Sequence, residues 1–175
     1  TPSGPTPTPT PTFTNTPTPT PTNTPGGVSS TGFLAPSTDG PETVKAGDNN
    51  GYEVSPGNAY AADGLFATDA NSGSGTETSC TSIQKDKHRY YTYNFNIPTM
   101  TALNGIEVRL TGSAATMADT PKLCIQLSWN RGDTWTAAQS VPLTTVNATY
   151  VLGSPTDTWG RSWALGDLSN TNFRV

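Results

Sequence analysis

Acid–base chemistry near neutral pH calls for a side chain that titrates there, and the sequence holds one histidine, His88, in the charged run Lys85-Asp86-Lys87-His88-Arg89. At the entry to an aromatic strand such a histidine is expected to be solvated. There is no G-x-S-x-G nucleophile elbow, no H-E-x-x-H zinc helix and no G-x-x-x-x-G-K phosphate loop. Glycoside hydrolysis would need two convergent carboxylates, and most of the 13 acids stand in turns beside Gly, Asn or Thr. No catalytic residue is assigned, and the chain is expected not to be an enzyme. The stretch Asp48-Asn49-Asn50-Gly51-Tyr52-Glu53 carries the oxygen ligands that Ca²⁺ takes, with Asp48, Asn50 and Glu53 as candidates. Its spacing is not that of an EF-hand, and an Asn-Gly turn before a strand accounts for the same letters, so no cofactor is expected. Arg131-Gly132-Asp133 spells the adhesion tripeptide, yet a glycine between two charges also suits any tight turn.

The two cysteines, Cys80 and Cys124, form no C-x-x-C pair, so a zinc or redox centre lacks its ligands. A disulfide between them is expected; it would close a long loop and would persist in an oxidising, extracellular compartment. Four tryptophans (Trp129, Trp135, Trp159 and Trp163) and six tyrosines could line a platform for sugar rings, whereas burial is the commoner fate of large aromatics.

These residues need a scaffold, and composition indicates which kind. Charged residues make up 13% of the 175, and four Glu with four Lys leave too few exposed helix formers for ordinary amphipathic helices. An all-β protein fits. A net charge of −4 without a basic cluster gives nucleic acid no electrostatic handle. No apolar run reaches the roughly 18 residues of a membrane span, so no membrane partner is expected.

Residues 1–25 hold 11 Thr and 9 Pro, and the first charge in the chain is Asp39. Thr16–Pro25 repeats Thr6–Asn15 at 8 of 10 positions. Each proline fixes its own φ and pushes the preceding threonine out of the helical region, which favours an extended polyproline II arm with a reach on the order of 75 Å. Residues 1–27 are therefore assigned as an arm or linker. Its hydroxyls lie open to glycosyltransferases, and Thr6, Thr8, Thr10, Thr12, Thr14, Thr16, Thr18, Thr20, Thr22 and Thr24 are candidate O-glycan sites.

Residues 28–175 suffice for one domain with its own core. Period-two alternation predicts strands through Tyr91-Tyr93-Phe95, Ile106-Val108-Leu110 and Leu123-Ile125-Leu127. Weaker strands are predicted at Tyr52–Val54, Leu65–Thr68, Thr134–Ala138, Ala148–Leu152 and Asn172–Val175, and one helical turn within Ser162–Asp167. Seven or eight short strands suggest an antiparallel, jelly-roll-like β-sandwich.

Two resemblances sharpen this. Ser128-Trp129-Asn130-Arg131-Gly132-Asp133-Thr134-Trp135 resembles the Asp-box hairpin of sialidases and other secreted β proteins, with Asn130 where that motif has Asp; the resemblance implies a braced turn and no catalysis. From Asp48 to Val175, the strung-together GYEVSPGNAYAADG, SCTSIQKDKHRYYTYNFNIP, LNGIEVRL, PKLCIQLSWNRGDTWT and DTWGRSWALGDLSNTNFRV resembles the β-sandwich repeats of large bacterial surface proteins, which Thr-Pro linkers commonly join. That resemblance implies a further hydrophobic strand after Asn172-Phe173-Arg174-Val175, where this sequence stops. Either a neighbour's segment fills the resulting edge, as in donor-strand complementation, or the sequence belongs to a longer chain. Residues 28–47 are the donor or connecting segment, with Phe33 and Leu34 as candidate donor residues. The expectation is a structural protomer of an extracellular or cell-surface filament, bearing covalent glycans and partnered by copies of itself. The alternative is a carbohydrate-binding module on the Thr-Pro linker of a secreted enzyme or adhesin.

Overall fold

The structure is a computed structural model that describes residues 29–42, 50–72, 78–97 and 102–175. The ten threonines of the arm and Asp48 lie outside the described residues. The chain divides into two units, Thr1–Ser30 and Thr31–Val175.

Among the described residues the second unit is all-β: six strands in three small antiparallel sheets, with two short 3₁₀ turns. β1 (Thr38–Pro41) pairs with β2 (His88–Tyr91), β3 (Glu107–Gly112) with β6 (Ala148–Gly153), and β4 (Lys122–Ile125) with β5 (Gln139–Pro142). The alternation of β3 behaves as its letters require: Val108 and Leu110 turn inward while Glu107, Arg109 and Thr111 face solvent. Opposite them β6 turns Tyr150 and Leu152 in and Thr149 and Val151 out. The ladder ends at Gly153, whose φ is +78° and where a Cβ would stand 2.2 Å from the Ile106 carbonyl oxygen; only glycine fits there.

The core gathers Leu127, Leu152, Trp159, Trp163, Leu168 and Phe173, with Leu127 wholly buried. Two tryptophans enter it with their N–H groups satisfied: Trp159 Nε1 donates to the Ile106 carbonyl at 2.9 Å and Trp163 Nε1 to the Thr158 carbonyl at 2.8 Å. Leu168 reaches the core from the 3₁₀ turn Leu165–Leu168, inside which Ser162–Asp167 partly falls. Cys80 and Cys124 form the disulfide, tying the loop before β2 to β4.

Several predicted strands are shorter than their letter pattern. The run Tyr91-Tyr93-Phe95 leaves the ladder at Tyr91, because Thr92 (φ 62°) and Asn94 (φ 55°) are left-handed. Tyr93 and Phe95 still face one way, stacked at 5.6 Å, and both meet Phe173 edge-on. Tyr52–Val54 and Leu65–Thr68 shrink to a single bridge, Val54 with Thr68, and Thr134–Ala138 to one between Trp135 and Ser128. Asn172–Val175 contributes Arg174, bridged to both Tyr91 and Ser128, and Val175, which exchanges both backbone hydrogen bonds with Tyr90 at 2.9 and 3.0 Å. β2 is therefore flanked by β1 on one side and by Arg174–Val175 on the other. β1, β5 and the 3₁₀ turn Pro56–Tyr60 were not anticipated.

Candidate functional site

His88 is not the solvated residue expected at a strand entry: its side chain is 2% exposed. β2 turns it into a pocket whose opposite wall is Gly51, where φ is +68° and a Cβ would stand 2.6 Å from His88 Nδ1. Nδ1 accepts the Tyr52 backbone N–H at 3.0 Å, which makes Nε2 the protonated nitrogen; Nε2 donates to Asp39 Oδ1 at 3.1 Å. The imidazole stacks on Tyr52 at 5.3 Å and tilts against Tyr90 at 5.1 Å. Asp39, on β1, takes a second hydrogen bond on Oδ2 from the Tyr60 hydroxyl, delivered by the turn Pro56–Tyr60. Burial first, and then the bond to Asp39, push the Tyr60 phenol up to about 12.

Around this pair β1 is held by further polar contacts. The Tyr91 hydroxyl donates to the Asp39 carbonyl at 3.2 Å and Arg89 Nη2 to the Pro41 carbonyl at 3.1 Å, while Arg89 Nε lies 3.8 Å from the Glu42 carboxylate. The Ser37 hydroxyl donates to the Thr92 carbonyl at 3.0 Å, and the Thr38 and Thr92 hydroxyls join at 3.1 Å. A histidine–carboxylate–tyrosine chain in an open cleft would move protons. Here both ring nitrogens are engaged within the protein and the ring is sealed, so the chain acts as a pin that seats β1 on β2.

The Asn130 turn is braced as its letters suggest. Asn130 Oδ1 accepts the Thr134 N–H at 2.9 Å and the Ser128 hydroxyl at 3.1 Å, while Ser128 Oγ accepts the Gly132 N–H at 2.8 Å. Arg131 and Gly132 take positive φ, 69° and 101°, and the Arg131 N–H donates to the Asn172 carbonyl, so the Arg-Gly-Asp tripeptide forms a tight turn. Behind it Arg161 lies between Trp129 (3.8 Å) and Trp163 (4.5 Å) and pairs with Asp167 at 3.0 Å. Trp159 and Trp163 are buried and Trp129 and Trp135 half-buried; Phe33 is the one exposed aromatic among the described residues.

Of the calcium candidates, Asn50 and Glu53 are brought together by a side-chain hydrogen bond. The Glu53 carboxylate also accepts the Ala70 and Asn71 N–H groups at 2.8 and 3.2 Å. The Ala70 N–H most of all, and then Glu53's own, hold this carboxyl below the usual value for glutamate, against a partial desolvation. Glu53, Asp69 and Asp86 bring carboxylate oxygens within 4.8 Å of one another, the one group among the described residues with the oxygen donors of a hard divalent cation. Asp69 and Asp86 were missed because they lie 16 and 33 residues from Glu53. Burial first, then these two carboxylates, push the Tyr52 phenol up to about 12.

Phe33 and Leu34, the candidate donor residues, are 44% and 39% exposed, and Phe33 lies over the Arg109 guanidinium at 4.3 Å on the outer face of β3. No protein-family model, curated protein or solved structure matches the chain.

Proposed function

We propose that this chain is a structural protomer of an extracellular filament or surface fibre. In this reading the Thr-Pro segment is a polyproline II arm O-glycosylated on its threonines, the body is a jelly-roll-like sandwich of the kind its sequence resembles, and protomers join head to tail by strand complementation. The observation that carries it is β1, a four-residue strand whose only strand partner among the described residues is β2. A short outer strand held by one neighbour is a joint rather than a binding cleft. The disulfide supports an oxidising compartment, and no helix among the described residues is long and apolar enough to cross a membrane.

The carbohydrate-binding alternative needs an exposed row of aromatics, and among the described residues Phe33 is the one exposed aromatic. Light scattering and negative-stain imaging of purified protein test the fibre reading: concentration-dependent polymers are expected, and monomers at every concentration reached would overturn it. Intact mass tests the coat, with hexose-spaced additions on residues 1–25 expected and a bare polypeptide mass counting against the glycans.

A further inference from the structure

We infer that the joint between protomers is the seat of β1 on β2, filled in the fibre by β1 of a second copy and keyed by Asp39. The inference rests on the fibre reading and specifies its contact. β1 brings no residue to the buried core; its four residues, Thr38-Asp39-Gly40-Pro41, are held by directional polar bonds. Asp39 accepts from the neutral His88 ring, and Glu42, the residue after β1, lies 3.8 Å from Arg89, so strand and seat match in hydrogen bonds and in one charge pair as well as in ladder. Asp39 is the key because its carboxylate alone reaches two distant elements, His88 on β2 and Tyr60 on the turn Pro56–Tyr60, while the Tyr91 hydroxyl takes its carbonyl.

A seat built this way does not distinguish the β1 of its own chain from that of another, since every copy carries the same strand and the same pocket. Releasing β1 leaves the Leu127–Phe173 core packed, so exchange does not require the body to unfold. A copy whose β1 has moved to a neighbour leaves its own seat open to the β1 of a third, a head-to-tail contact that propagates. Exchange within one chain is favoured by its high local concentration, so the joint forms between copies as protein concentration rises.

Two variants and a peptide test this with the full-length chain. Asp39→Ala has a spoiled strand and an intact seat; His88→Ala has the reverse. Each alone is expected to lose fibres, and an equimolar mixture, in which one joint of each pair is sound, is expected to give dimers by light scattering. Circular dichroism and tryptophan fluorescence check that both variants fold. Should His88→Ala fail to fold, a synthetic peptide of residues 35–42 added to wild-type protein decides: shorter fibres are expected, with no shortening by the peptide carrying Asp39→Ala. Fibres of Asp39→Ala or of peptide-treated protein as long as the untreated wild type, or a mixture that stays monomeric, would overturn the exchanged joint and leave the fibre reading standing. Wild-type protein that never assembles overturns both.

Discussion

Two regions of the body are held by different physics. Around Leu127, apolar side chains and paired tryptophans close a core in which the polar groups are accessories. Around Asp39, polar bonds do nearly all the holding and apolar burial little. Burial is non-directional and collective, so the first region stands or falls as a unit. Polar contacts exchange one set of hydrogen bonds for another with water, so the second can open without the first.

The sharpest way to break this contrast is to remove what ties the halves together. Reducing Cys80–Cys124, or replacing both by Ser, is expected to lower stability by about 4 kcal/mol in denaturant unfolding, from the chain entropy of a loop with a sequence separation of 44. Leu127→Ala follows, at about 3 kcal/mol, and every spectroscopic probe should shift together. Its counterpart Val151→Ala, half exposed on the outer face of β6, should stay within about 0.5 kcal/mol. For the polar region, Asp39→Ala is expected to cost about 2 kcal/mol locally: hydrogen exchange should quicken in β1 and β2 before the core amides respond, and simultaneous loss of protection in both would erase the distinction. Asn130→Ala removes the brace of the Ser128–Trp135 turn at about 1 kcal/mol, read by the melting temperature.

Alkaline pH perturbs the polar region without a substitution. Tyr52 and Tyr60 titrate near 12 in the folded chain against about 10 unfolded, so the neutral phenols favour folding. That contribution is complete below pH 10 and is lost as pH climbs through 12. Melting temperature should fall across that window as tyrosinate absorbance rises, and Tyr60→Phe should blunt the fall.

Local patterns were legible and distant partnerships were not. β3 follows from strict alternation, β6 from a weaker pattern that the outward Val151 interrupts, and the Asn130 turn from residues within eight positions of one another. The disulfide followed from having just two cysteines. β1 escaped because Thr-Asp-Gly-Pro has no apolar period, and its key contact spans 49 residues. His88 looked solvated because its charged neighbours dominate the local letters, while Gly51, Tyr52 and Asp39, which bury it, lie far away in sequence. The run through Phe95 misled for another reason: left-handed Thr92 and Asn94 end the ladder yet keep Tyr93 and Phe95 on the same packed side.

The bond between Cys80 and Cys124 also decides how the body would respond to being pulled. It withholds the chain between them, roughly 150 Å at about 3.4 Å per residue, from any extension. Because β2 and β3 both lie inside that closed ring, a tug arriving through β1 meets a strand that cannot be reeled out. Such a link gives way by letting go, not by lengthening, and keeps its shape for the next grip.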